Sequence, residues 1–241
     1  LYYRENNGNT TKTKSDDSIS KNPAGRAAAL SGATHVAQLS DDQSIITSHF
    51  SNALSSSKST TTLLEGAEAF AGGETRTITI DGVNYTVKNK LSTANDLSYS
   101  KDTSTGELTL TASNFEIRGQ EDVSHNIIIS GRSNNVYGGK LNDTIKEAGN
   151  SVCSTNNIFA GDGDDTIVLY GSNSYAYGEA GNDTLTSNMG SLNGGDGDDI
   201  LNINNNGNTH YGGSGNDIFN INSSNNRMYG EDGDDIFNII K

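Results

Sequence analysis

The chain has no tryptophan, one proline, one cysteine and two methionines in 241 residues, and aromatic side chains make up 7% of it. So little bulky apolar matter argues against one large globular core and suits a thin, repetitive stack better. The single Cys153 excludes an internal disulfide framework. No run approaches the ~18 consecutive apolar residues of a membrane span, so no membrane insertion is expected. A net charge of −14 argues against nucleic acid and anionic lipid surfaces as direct partners. There is no N-terminal Met and no basic–apolar leader, so the chain is expected to be part of a longer polypeptide, or to carry its export signal elsewhere. Catalytic motifs are missing too: no H-E-x-x-H, no G-x-S-x-G, and no cysteine–histidine constellation. His35, His49, His125 and His210 are scattered, without the i, i+4 spacing of a zinc helix. The expectation is a protein that is not an enzyme, although 30 acidic residues leave a carboxylate pair for glycoside chemistry open.

Glycine and aspartate are what the chain does have. Six short copies fill its C-terminal half: GGKLNDTIK (138–146), AGDGDDTIV (160–168), GEAGNDTLT (178–186), GGDGDDILN (194–202), GGSGNDIFN (212–220) and GEDGDDIFN (230–238). The sixth position is Asp143, Asp165, Asp183, Asp199, Asp217 or Asp235; the eighth is Ile145, Ile167, Leu185, Leu201, Phe219 or Phe237. Successive sixth positions are 22, 18, 16, 18 and 18 residues apart, giving a modal period of 18. Gly-x-Gly-x-Asp can turn sharply because glycine tolerates positive φ and close backbone approach. The residues after each Asp alternate with period two, as a half-buried strand should. The tenth position continues the apolar row at Leu169, Ile203, Ile221 and Ile239, with Glu147 and Ser187 breaking it.

These copies resemble the GGxGxDxUx nonapeptide of the RTX calcium-binding family. The resemblance implies a right-handed parallel β-roll in which two nonapeptides form one coil. It implies Ca2+ held between consecutive loops by backbone carbonyls and sixth-position carboxylates, about four to five ions in all. The metal-binding residues it indicates are Gly139, Asp143, Gly161, Gly163, Asp165, Gly181, Asp183, Gly195, Gly197, Asp199, Gly213, Gly215, Asp217, Gly233 and Asp235. The loops at 194 and 212 follow the motif most closely, and the first, with Leu141 in a glycine place, least closely. The alternate half-coils carry Asn134, Ser174, Asn208 or Asn226 where the family repeats its Asp, and a neutral amide supplies no carboxylate to a hard cation. Calcium loops are therefore expected along one edge only. From Ile117 onward there are 17 acidic and 6 basic residues, so stacked loops repel one another until cations intervene.

The expected fold is mainly all-β: a parallel β-roll of about 18-residue coils over 115–241, after a flexible polar lead over 1–22 and an α+β or β-hairpin region over 23–114 that could cap the stack. From Pro23 to about Phe70 the pattern reads as helical, with a capping box at Ser40–Gln43 and Ile46, Phe50 and Leu54 at turn spacing. Thr75–Asn89 reads as a hairpin around Asp81-Gly82, and Leu97–Thr111 as a second one turning near Thr105-Gly106. Phe115, Ile117, Ile127 and Ile129 would be the first inward residues of the roll, and Val136, Ile158, Ala176, Leu192, His210 and Met228 continue inward on the alternate half-coils.

The expected function is a calcium-dependent structural module of a secreted or cell-surface protein, such as an adhesin exported by a type I system. It would fold on meeting extracellular calcium and support an attached domain. Two alternatives stay open: the accessory part of an exported protease, lipase or epimerase, and binding of a surface glycan or partner protein. The outward column Tyr137, Phe159, Tyr177, Tyr211 and Tyr229 serves either cross-strand packing or sugar stacking.

Overall fold

The computed structural model describes residues 2–3, 12–13, 63–149 and 152–240, in two units, Leu1–Thr62 and Leu63–Lys241. In the first unit, β1 (Tyr2–Tyr3) and β2 (Lys12–Thr13) pair antiparallel. The capping box at Ser40–Gln43 and the Ile46, Phe50, Leu54 spacing lie outside the described residues.

The second unit is entirely β among the described residues. It opens with β3 (Leu63–Phe70), β4 (Thr75–Ile80), β5 (Val83–Asn89) and β6 (Asn95–Asp102). The helical expectation that ran to about Phe70 is corrected here, because 63–70 is a strand. Leu, Ala and Glu are good helix formers, but all eight residues of β3 pair antiparallel with β6, and Phe70 is buried edge-on against Phe115. Both hairpins form as expected. β4 and β5 join through Asp81 and Gly82 at φ 50° and 78°, the conformation of a type I′ turn. β6 pairs with β7 (Leu108–Thr111) across a turn in which Gly106 N–H bonds Asp102 O at 2.8 Å.

Coils follow. One sheet contains β8 (Phe115–Arg118), β10 (Asn135–Gly139), β12 (Asn157–Asp162), β14 (Tyr175–Ala180), β16 (Ser191–Asp196), β18 (Thr209–Ser214) and β20 (Arg227–Asp232). Its partner contains β9 (Asn126–Ser130), β11 (Thr144–Glu147), β13 (Thr166–Leu169), β15 (Thr184–Ser187), β17 (Ile200–Ile203), β19 (Ile218–Ile221) and β21 (Ile236–Ile239). Every neighbouring pair among these strands is parallel, which makes a solenoid of about seven turns. Parallel pairing already begins at β7, where Leu108 and Leu110 align with Ile127 and Ile129. At the N-terminal end β5 and β4 extend the first sheet antiparallel, and β6 and β3 extend the second.

Alternation along each strand sends one row of side chains inward. Ile145, Ile167, Leu185, Leu201 and Phe219 form one buried column, and Val136, Ile158, Ala176, Leu192 and His210 the facing one. Phe115, Ile117, Ile127 and Ile129 are fully buried and continuous with Val87, Leu97 and Leu110 of the antiparallel strands, so one core runs through the unit. In the last coil Met228 is only partly buried, and Phe237 and Ile239 are exposed.

The two breaks in the apolar row have separate causes. Glu147 is buried and accepts hydrogen bonds from Asn156 Nδ2 (2.7 Å), Ser174 Oγ (2.7 Å) and Tyr170 N–H (2.8 Å), beside the coil lengthened to 22 residues. Ser187 donates to Gly190 O at 2.6 Å and accepts from Gly190 N–H at 2.9 Å, closing the 16-residue coil. Cys153 is buried, with Sγ 3.5 Å from Ile129 O, and burial raises its thiol pKa.

Candidate metal centre

The six Gly/Asp loops lie along one edge of the solenoid, where the first sheet hands over to the second. The sixth-position Asp side chains turn inward and stack. Each Oδ1 accepts the backbone N–H of the corresponding residue one coil earlier: Asp143 N to Asp165 Oδ1 at 2.6 Å, Asp165 N to Asp183 at 2.7 Å, Asp183 N to Asp199 at 2.7 Å, Asp199 N to Asp217 at 2.9 Å and Asp217 N to Asp235 at 3.0 Å. Position and rotamer of every carboxylate are thereby set by its neighbour.

The second oxygen of each carboxylate is different. Oδ2 of Asp143, Asp165, Asp183, Asp199 and Asp217 is buried and has no hydrogen-bond partner. An unpaired buried carboxylate oxygen costs several kcal/mol, and a column of them adds like-charge repulsion. Burial first, then the neighbouring carboxylates, pushes the pKa of Asp165 and Asp199 up to about 7. Asp183 rises to about 6 from burial and the charge of Asp164, and burial also raises Asp143 and Asp217.

The loop backbone closes round these oxygens. A Cβ on Gly178, Gly194, Gly212 or Gly230 would fall on Oδ2 of the sixth-position Asp in its own loop. Gly161, Gly163, Gly181, Gly195, Gly197, Gly213, Gly215 and Gly233 all have φ between 114° and 137°, backbone that only glycine adopts without strain. Their carbonyls lie under the next coil, so that a Cβ on Gly213 would meet Gly195 O and one on Gly215 would meet Gly197 O. Among the described residues no three His, Cys, Asp or Glu side chains converge on a point. A cation here would take one or two carboxylates and fill its shell with carbonyls, a donor set of hard oxygens that suits Ca2+.

The first loop departs from the others. Neither Gly139 nor Leu141 has positive φ, Leu141 is exposed, and Lys140 pairs with Glu121 at 2.7 Å. Asp143 nevertheless stands in the column with its Oδ2 unpaired. Glu179 and Glu231 occupy second positions at φ 78° and 75°, a left-handed conformation that costs a non-glycine residue about 1 kcal/mol. Burial, followed by Asp162, also raises the Glu179 pKa. Glu179→Gly is expected to raise stability by about 1 kcal/mol in urea denaturation with calcium present.

Two features, the contacts of His125 and a second ladder on the outer rim, are not signalled by the motif. His125 ends the Asp column: its N–H donates to Asp143 Oδ1 at 2.6 Å, and its ring lies 3.4 Å from Tyr85 OH and 3.0 Å from Gln120 O. The fifth positions form a second ladder of opposite sense, in which Asn142, Asp164, Asn182, Asp198 and Asn216 each accept the N–H of the next coil at 2.7 to 3.2 Å. Acid alternates along it, since loops with Asp at the third and fifth positions (Asp162 and Asp164, Asp196 and Asp198, Asp232 and Asp234) are separated by loops with Ala180 and Asn182, or Ser214 and Asn216. That alternation is visible in the aligned copies once they are read as rungs.

The opposite edge repeats the side-chain ladder with neutral groups. Phe115 N–H donates to Asn134 Oδ1, Asn134 N–H to Asn156 Oδ1, Asn156 N–H to Ser174 Oγ and Asn208 N–H to Asn226 Oδ1. Here the free ends are answered: Asn134 Nδ2 donates to Ala112 O at 2.8 Å, and Asn156 Nδ2 to Gly131 O at 3.0 Å. The acidic edge leaves one oxygen per rung without a partner, whereas Asn134 and Asn156 leave none.

With this geometry in hand, residues 159–191 and 211–238 match the family model of the RTX calcium-binding nonapeptide repeat, in four copies. The matched stretches contain the loops at 160–168, 178–186, 212–220 and 230–238. Searches of curated proteins and of solved structures returned no match.

Proposed function

We propose that these RTX repeats make the chain a calcium-binding structural module of a secreted or cell-surface protein, one that folds on reaching calcium outside the cell and supports an attached domain. Ions bind between consecutive loops. The carboxylates are Asp143, Asp165, Asp183, Asp199, Asp217 and Asp235, and the carbonyls come from Gly139, Gly161, Gly163, Gly181, Gly195, Gly197, Gly213, Gly215 and Gly233. Five buried Oδ2 atoms without a hydrogen-bond partner are the observation that carries this reading. A divalent cation between rungs supplies each of them with a partner and cancels the repulsion along the column. The affinity range of extracellular calcium modules, about 10⁻⁴–10⁻³ M, would leave the sites empty in cytosol and filled outside.

The test compares the two edges. Asp199→Ala removes one carboxylate and the acceptor for Asp183 N–H, so in a calcium titration followed by circular dichroism its folding midpoint should shift upward by about tenfold or fail to appear. Asn208→Ala loses only an exposed bond to Asn206 O and should move the midpoint by less than about twofold. Equal shifts for the two variants would sink the one-edged reading.

A further inference from the structure

The outer face of the sheet containing β14, β16 and β18 carries a column of stacked rings with one missing. Tyr137, Phe159 and Tyr177 stack at centroid spacings of 4.8 Å with interplanar angles of 9° and 5°. Tyr211 and Tyr229 stack at 5.2 Å and 12°. Strand register puts Asn193 between Tyr177 and Tyr211, and Ser191 beside Tyr175 in the neighbouring column. A short amide thus stands where the column would continue with a ring. The result is a notch of about 470 Å³ lined by Tyr175, Tyr177, Asn193, Asn208, Thr209 and Tyr211, among others.

Its walls are the free faces of two rings. Phe159 covers the other face of Tyr177, and Tyr229 covers the other face of Tyr211. The walls stand two strand spacings apart, about 9.6 Å, so one saturated or aromatic ring inserted midway stacks on both. The floor is polar, and its side chains are left to solvent. Among the described residues no side-chain hydrogen bond reaches Asn193, Ser191 or Thr209. On the other sheet the outward amides do pair, Asn220 Nδ2 to Asn202 Oδ1 and Asn238 Nδ2 to Asn220 Oδ1, both at 3.0 Å. No charged side chain lines the notch, in a chain of net charge −14, so nothing there answers an ionic ligand. An aromatic ligand would cover the amide and hydroxyls without bonding them, which is unfavourable.

We infer that this notch binds one neutral hexopyranose unit of a glycan, its C–H faces against Tyr177 and Tyr211 and its hydroxyls bonded to the Asn193 amide and the Ser191 and Thr209 hydroxyls. The inference needs a folded roll but not the ion positions proposed above. All measurements are therefore made in excess calcium, with circular dichroism reporting the fold separately from sugar binding.

Neutral methyl glycosides of glucose, galactose, mannose and N-acetylglucosamine are titrated against the protein and followed by saturation-transfer NMR. The open, shallow site should give millimolar binding of at least one of them. Asn193→Tyr completes the ring column, should retain calcium-dependent folding, and should weaken the bound glycoside by at least about tenfold. If that variant does not fold in calcium, Tyr211→Ala, which removes one exposed wall, is expected to give the same loss. The inference is overturned if no glycoside binds the wild-type protein, if phenol binds while every glycoside fails, or if binding survives in the folded variant.

Discussion

Stripped of calcium by dialysis, the protein is expected to lose its β-sheet circular dichroism at about pH 7.5 and to regain it at about pH 5 without any added metal. The carboxylates of the inner column set the sign. Asp165 and Asp199 have pKa values raised to about 7, and Asp183 to about 6, from an ordinary 3.8. A carboxyl whose folded pKa lies above its unfolded value binds its proton more tightly in the fold. The calcium-free roll therefore has its full stability below the unfolded value and loses it progressively as pH rises from about 4 to about 7. At about 1.4 kcal/mol per unit, one Asp raised by about three units removes about 4 kcal/mol at neutral pH, and its neighbours add to that. A domain whose whole stability is about 5–15 kcal/mol does not survive such a loss. On the proposed reading calcium substitutes for the protons, so with saturating calcium the signal should hardly change between about pH 5.5 and pH 8, and each ion bound near pH 7 should release protons. Magnesium, with its smaller and stricter octahedral shell, should restore little. A metal-free protein that stays folded at neutral pH would contradict this account.

Gly213→Ala should be among the most damaging additions of a single methyl. Gly213 has φ 122°, a region an L-residue enters at a cost of about 1–3 kcal/mol, and the new Cβ would collide with Gly195 O one coil below. The carbonyl cannot simply turn away, because β16 and β18 are paired in register at these two residues. The coils would have to separate, taking with them a carbonyl proposed as an ion ligand. In calcium, the loss should exceed about 3 kcal/mol in urea denaturation, against about 1 kcal/mol for Gly207→Ala, whose φ of 79° is also left-handed but whose Cβ meets nothing. Comparable losses at 207 and 213 would mean that backbone conformation alone matters and that stacking of the loops does not.

Much of the roll was legible because its determinants are local and repeated. The sixth-position Asp, the eighth-position apolar residue and the spacing of 18 fixed the coil, and the inward columns from Phe115 to Phe219 followed from simple alternation. Asp81-Gly82 marked its hairpin because few dipeptides accept two consecutive left-handed residues. Leu63–Phe70 was misread because its helix-forming composition carries no trace of β6, the strand that pairs with it. Leu108 and Leu110 read only as a hairpin strand, since their parallel pairing with β9 depends on chain 19 residues away. At the acidic edge the residues were identifiable but their bonding was not: one oxygen of each Asp is committed to the previous coil and the other to nothing. His125 gave no sign at all, because it lies outside the motif and is defined by what it touches.

The alternation of acidic and neutral loops on the outer rim has an electrostatic consequence. Asp164, Asp198 and Asp234 stand two rungs apart, about 9.6 Å, which exceeds the Debye length of about 8 Å at physiological ionic strength. Dissolved salt therefore mutes their repulsion without any bound ion. The inner carboxylates, one rung apart and shielded from water, have no such relief. On the proposed calcium reading, the demand for ions therefore falls on the inner file and not on the rim.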